Sequence, residues 1–478
     1  MDLVSKENFV LQGSEILTVL FYLFVYCGGL LIALSGRPLY GLYIYFFSFY
    51  LHAPSQWWGQ SLPDIRWSLI AAIITLGVVL FKPPARGLRF WTFHENKLLS
   101  LMAVFVCLQQ FWVKYGVLHM DYVILFVKFL ILIFIIQNIV VSAKELRGVI
   151  WANVLGTAYL AYYGISQFDG GRLEDAGANG MDANLVGMHF AAMVYMGAYL
   201  LMERFRYTHI ILAIALSLIL MGLFLTESRG SIIALGASGL LALFFHPQGS
   251  KPKFITLGLL GAISAAVLMG PQIVDRFEGM KKDNVGEVQD ASAASRMVII
   301  NAQIEMWKKH PILGFGHRGT LVQSPAYLPE DYLTGPGVRA SHNLTMALLV
   351  DHGIIGASLY FGAVLLALSK IFRYKFKLQK GETLSDDQKL YSHALLGAIL
   401  ALLCFIVGGQ GSNNKKLEAD IWLLALIPLI HREIQTHNQK RRKVSLETIQ
   451  DEVYAKSESN SKVEAEVGGQ SSGKAALV

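Results

Sequence analysis

Apolar runs recur along the whole of this 478-residue chain, many of them close to the length a helix needs to cross a bilayer, roughly 20 residues. In hydrocarbon every backbone N–H and C=O must be satisfied within the segment or a closed barrel. The runs lack the period-2 alternation of barrel strands, so they are predicted to be helices. Candidate spans are 15–35, 39–53, 66–81, 97–115, 121–141, 146–166, 183–202, 209–226, 230–246, 253–270, 343–369, 391–410 and 418–431. Because 39–53, 66–81 and 418–431 are short, the expectation is an all-α polytopic membrane protein with about 12–13 transmembrane helices. Only 16% of the residues are charged, against roughly 25% in soluble domains, which excludes an ordinary soluble enzyme.

Lys and Arg in the short loops set the orientation. One set of loops carries Arg37; Lys82, Arg86, Arg89 and Lys97; Lys144 and Arg147; Arg204 and Arg206; Lys251 and Lys253; and Lys370 through Lys380. The alternate loops are poorer in basic residues, so the first set is expected in the cytoplasm, together with Lys440-Arg441-Arg442-Lys443. The net charge of +7 is modest, and its placement beside apolar runs gives no nucleic-acid footprint. Cys27, Cys107 and Cys404 lie inside apolar runs and read as inert packing residues. The first run, from near Glu15, has no basic leader and no clear cleavage site, so it reads as a retained helix.

Four segments follow from this reading. Residues 1–270 hold the N-terminal transmembrane helices and 271–341 form one large loop on the non-cytoplasmic side. Residues 342–432 hold the C-terminal spans. Residues 433–478 form a disordered cytoplasmic tail, polar and without a core-forming pattern over 444–478. A loop as long as 271–341 without apolar spans is expected to be functional.

Four polar features share the side of that loop: Gly171-Arg172 through Asp182-Ala183-Asn184; the turn Thr226-Glu227-Ser228-Arg229-Gly230-Ser231; Ser295-Arg296; and Ser341-His342-Asn343. After Arg296, residues Met297, Ile300, Ile304 and Trp307 recur at helical spacing, which predicts a helix resting on the bundle or the interface. Guanidinium forks match phosphate oxygens and stay charged at any relevant pH. A histidine at a helix start can accept a proton near neutrality. This combination suits transfer from a diphosphate donor, whose leaving group needs charge neutralisation while the acceptor hydroxyl needs a base. No Asp-x-Asp pair, Walker loop or dinucleotide fingerprint is present, and Glu174-Asp175 and Glu330-Asp331 are adjacent rather than spaced for a metal. The expectation is therefore no cofactor, no metal and a lipid-linked donor.

His342-Asn343, nine residues, then Gly353-Ile354-Ile355-Gly356 resembles the His-Asn-x9-Gly-x-x-Gly signature of the bacterial O-antigen ligase superfamily. Ser228-Arg229-Gly230 resembles that family's outer-face arginine turn. Ser295-Arg296, with Trp307 and His310-Pro311-Ile312-Leu313-Gly314-Phe315-Gly316, resembles the start of its large periplasmic loop. The resemblance is specific over about 170–360. More loosely, Arg37-Pro38 through Trp57-Trp58-Gly59 is similar to O-glycosylation ligases associated with exosortase systems.

The resemblance implies a GT-C-like glycosyltransferase of the bacterial inner membrane, with its active site facing the periplasm. It would transfer a glycan en bloc from undecaprenyl diphosphate to an acceptor hydroxyl on a lipid or a protein. Carried over by motif, His342 would be the general base and Arg229 and Arg296 would hold the diphosphate. Arg172, Arg318 and Arg339 are secondary candidates. A polymerase and a protein O-oligosaccharyltransferase of the same superfamily would use the same donor grip. A lipid-linked sugar transporter is the reading from another class, disfavoured by the lack of a repeat. Asp351 lies nine residues beyond His342, about half a turn round a regular helix, and reads as a structural contact. His310 and His317 read as loop packing.

Overall fold

A computed structural model describes residues 3–83, 87–174, 181–202, 207–246, 291–334, 337–375, 383–413 and 418–471, with Pro252, Ile255, Thr256, Gly258 and Leu259. These residues form helices and no strand, apart from one antiparallel bridge between Thr334 and Val338. In chain order the helices are α1 (Leu3–Leu34), α2 (Pro38–Leu51), α3 (Trp67–Phe81), α4 (His94–Gln109), α5 (Gly116–Ile139), α6 (Ala143–Ser166) and α7 (Ala183–Leu200). There follow α8 (Thr208–Leu225), α9 (Arg229–Phe244), α10 (Ala291–Lys309), α11 (Gly319–Tyr327), α12 (Leu344–Ser369), α13 (Asp386–Gly408) and α14 (Glu418–Ser471).

Six of them are long and apolar enough to cross a membrane: α1 from Glu15, α5, α7, α8, α12 and α13; α3 and α9 are apolar but shorter. The protein is thus an all-α polytopic membrane protein. The expected span 97–115 is shorter than the sequence suggests, because α4 stops at Gln109 and a turn follows. The expected span 253–270 lies almost wholly outside the described residues, as do 271–290 of the large loop. The tail also departs from expectation. Helix α14 runs on to Ser471, well past position 433. After Pro428 no proline interrupts a stretch rich in Glu, Lys, Gln and Arg, all good helix formers.

Local signals explain where the helices start. Ser142 with Glu145 and Ser385 with Gln388 form capping boxes for α6 and α13. Asp182, Ser228 and Asn343 cap α7, α9 and α12 through their side chains. The most deeply set span is α13, which packs against α7, α9 and α14, whereas the Glu15–Leu34 stretch of α1 is mostly exposed. Buried polar side chains stitch the spans together, as expected where water is absent. Tyr50 of α2 donates to Asn153 Oδ1 of α6 at 3.1 Å, and Thr157 Oγ1 lies 3.0 Å from His189 Nε2 of α7. Tyr360 of α12 donates to Asp420 Oδ2 of α14 at 3.0 Å.

The described part of the large loop is folded. Helices α10 and α11 pack on the first half of α12 around Ile299, Ala302, Met306, Leu328 and Val350. The buried stripe of α10 is therefore offset from the one the sequence suggests. Ile300, Ile304 and Trp307 flank it half-buried, and Met297 is exposed. The helix also begins at Ala291, which puts Arg296 in its second turn rather than at its start.

Candidate active site

Asn343 sets the geometry. Its Oδ1 accepts from Met346 N at 2.8 Å and so caps α12. Its Nδ2 donates to the Gln410 carbonyl at 3.0 Å, and Leu344 N donates to the Gly409 carbonyl at 2.7 Å. The start of α12 is thereby fixed to the end of α13. From the loop side, Gln303 Nε2 donates to Ser341 Oγ at 2.8 Å and to Thr320 Oγ1 at 3.0 Å. Between these two anchors His342 lines a small cleft together with Arg296, Ile299, Ile300, Gln303, Asn343 and Gln410. The Arg296 guanidinium lies over Gly411, where a Cβ would meet Nη1 at 3.7 Å.

The electrostatics of this cleft favour a neutral imidazole. Burial pushes the His342 pKa below its ordinary 6.5, and the Arg339 and Arg296 cations push it further, with Asp182 opposing. Such a ring has a lone pair to offer at neutral pH while two cations stand close by. Arg339 itself follows the Thr334–Val338 bridge, and its backbone N–H donates to Ser324 Oγ at 2.7 Å. Its Nε is buried and makes no hydrogen bond among the described residues.

The other arginines take different positions. Arg229 opens α9 and is exposed, and the capping hydroxyl of Ser228 precedes it. It sits at the same end of the bundle, since a Cβ on the neighbouring Gly230 would lie 3.8 Å from the Gly408 carbonyl, but it does not line the cleft. Arg172 is engaged locally. Its Nε donates to the Thr226 carbonyl at 3.0 Å and its Nη2 to Asn184 Oδ1 at 3.3 Å, while Ser228 Oγ donates to that same Oδ1 at 3.0 Å. These bonds tie the 171–184 segment to the Arg229 turn. Arg318 is exposed with φ 61°, and its backbone N–H donates to Asp351 Oδ2 at 3.0 Å.

Asp351 belongs to a second polar group, beneath the cleft. Helix α12 breaks at Gly353 (φ 60°, ψ −168°). Residues 311–316 fill the break: Ile354 N donates to the Pro311 carbonyl at 2.9 Å, Phe315 N to Val350 at 2.9 Å and Gly316 N to Asp351 at 2.7 Å. Gln109 Nε2 donates to the Leu313 and Asp351 carbonyls at 2.6 and 2.8 Å. Its Oε1 must then accept from His352 Nδ1, 2.8 Å away. His317 stacks on Tyr122 at 4.3 Å. His317, Asp351 and His352 offer ligand atoms within 4.8 Å of one another, the grouping among the described residues able to hold a metal ion.

The Pro-Ile-Leu-Gly-Phe-Gly and Gly-Ile-Ile-Gly stretches are therefore two halves of one structural device. Sequence reasoning missed Gln303 and Gln410, whereas Asp182 lies in the first of the four polar features. A glutamine within an apolar stripe reads only as a break in it until its partners are placed, and Gln410 carries no mark of its own.

A family model described as O-antigen ligase matches residues 212–361, a segment that holds the Arg229 turn, Arg296, Arg339, His342 and both glycine stretches. No curated protein sequence matches the chain. Over residues 212–361 the chain is thus similar to the O-antigen ligase family, which supports a membrane enzyme of the ligase or polymerase type.

Proposed function

We propose that the protein transfers a glycan en bloc from undecaprenyl diphosphate to an acceptor hydroxyl, at the periplasmic face of the bacterial inner membrane. His342 takes the proton of the acceptor O–H. The acceptor oxygen attacks the anomeric carbon, the bond from that carbon to the phosphate oxygen breaks, and the diphosphate leaves with the electron pair. Arg296 neutralises the developing charge, with Arg339 close to the base and Arg229 gripping the diphosphate from the rim. Guanidinium groups suit this task because they donate in a planar fork to phosphate oxygens.

The observation that carries the reading is the cleft that sets the His342 imidazole beside Arg296, where burial, Arg339 and Arg296 lower its pKa. The clustering of these groups at one end of the bundle speaks for chemistry at the membrane surface and against passage of a substrate through it. A polymerase or a protein O-oligosaccharyltransferase would use the same donor grip. The test incubates purified protein with lipid-linked glycan and, separately, a lipid acceptor, a protein acceptor and a second lipid-linked glycan. Sugar on the lipid acceptor supports the ligase, and sugar on either of the others reassigns the subclass. No transfer to any of the three, from donor shown to bind, would remove the proposal.

A further inference from the structure

At the far end of α12 a second cavity opens between α4, α12 and α14. It lies at the opposite end of α12 from His342. It offers about 760 Å³ and is lined by Lys370, Arg373, His431 and Arg432, with Glu95 as its one carboxylate. Glu95 is buried and ion-paired with Lys370, so it neutralises that ammonium alone. Among the described residues no carboxylate pairs with Arg373 or Arg432. Arg432 is held in place by a 3.0 Å bond from Nη1 to Thr92 Oγ1 and by the Phe93 ring, 5.9 Å from its guanidinium carbon.

A separate observation points to a ligand. His431 is only 7% exposed, yet its Nε2 is buried without a hydrogen-bond partner among the described residues, and it lines this cavity. Buried polar atoms are normally satisfied, by protein or by a bound group. Helix α4 also begins here without a side-chain cap, so the positive end of its dipole adds to the field of the two guanidiniums. The surroundings are those of a lipid headgroup. Leu366, Phe372 and Pro428 complete the wall, and Trp91, exposed nearby, is of the type enriched at the membrane interface. Basic pockets between membrane helices are sites where acidic headgroups bind.

We propose that this cavity is an anion site that holds the phosphate-bearing headgroup of an acidic membrane phospholipid, with Arg373 and Arg432 gripping the phosphate and His431 completing its hydrogen bonds. The test uses the full-length protein in detergent, titrated with short-chain phosphatidylglycerol, short-chain phosphatidylcholine and inorganic phosphate, with binding read by native mass spectrometry. The acidic lipid is expected to bind about tenfold more tightly than the zwitterionic one, and to lose about tenfold in the Arg373→Gln, Arg432→Gln double variant. Arg432→Lys, which keeps the charge but loses the fork, is expected to fall between. Thermal unfolding of the lipid-free double variant is the folding control. If that variant is unfolded, Arg373→Gln alone decides, because Arg373 is exposed and removable without disturbing the core. Equal binding of the two lipids, or unchanged affinity in the folded variant, overturns the proposal. Inorganic phosphate that displaces the lipid at equal concentration makes soluble phosphate the ligand and overturns the lipid assignment.

Discussion

The Gln303 carboxamide donates to the Ser341 hydroxyl over 2.8 Å, so a helix of the large loop holds the residue that precedes His342. Gln303→Leu should leave the apolar packing of α10 intact while freeing this anchor and the bond to Thr320. Turnover is expected to fall on the order of 10-fold or more with donor affinity nearly unchanged, since small misplacements of a reacting group are costly. Single-turnover kinetics with bound donor checks this. Unaltered turnover in a folded variant would show that the anchor does not position the imidazole.

His342 and Arg296 share a cleft but should fail differently. His342→Ala is expected to abolish transfer and retain donor binding. Arg296→Ala should weaken donor binding by about 1.5–3 kcal/mol, the scale of a hydrogen bond to a charged group. Equilibrium binding of lipid-linked donor to both variants separates the two roles. Lost donor binding in the histidine variant would count against the base assignment.

The pH profile follows from the cations around the ring. Burial, Arg339 and Arg296 lower the His342 pKa below 6.5, and a base works deprotonated, so the acid limb of the activity curve should have its midpoint below pH 6.5. Arg339→Gln removes a positive neighbour. The pKa then rises and the limb moves to higher pH. A limb that stays in place, or moves down, would mean that Arg339 does not act on the titrating group.

The break in α12 demands glycine. Gly353 has φ 60° and ψ −168°, a region closed to side chains, and a Cβ there would strike the Ile312 carbonyl. Gly353→Ala should cost at least about 1–3 kcal/mol from backbone strain alone. A lowered thermal midpoint in detergent, with loss of activity in proportion to the unfolded fraction, is the expected result.

Membrane helices were legible because hydrocarbon leaves the backbone so few alternatives. The helix start at Ser341-His342-Asn343 was legible for a local reason, since a short polar motif marks where the loop meets an apolar run, and the base candidate there came from the motif's resemblance; the cap by Asn343 emerged only from the structure. Long-range placement was not. Nothing near Arg339 in sequence reveals that its charge acts on His342, while Arg229, in a more distinctive motif, comes to rest outside the cleft. Gln303 was hidden for another reason. A polar side chain at a buried helical register looks like a break in the apolar stripe until its partners Ser341 and Thr320 are known. The α10 stripe itself was displaced because several apolar residues of that helix face its edges rather than the core.

The filling of the α12 break by residues 311–316 bears on how chimeras with proteins that carry a similar O-antigen ligase segment should be cut. Hydrogen bonds from Ile354, Phe315 and Gly316 knit the strap and the span into one cassette. Swapping the extramembrane portion at the bilayer boundary alone would leave foreign amides facing a native gap. Exchanges that keep 311 through 356 from a single parent should be the ones that yield folded hybrids.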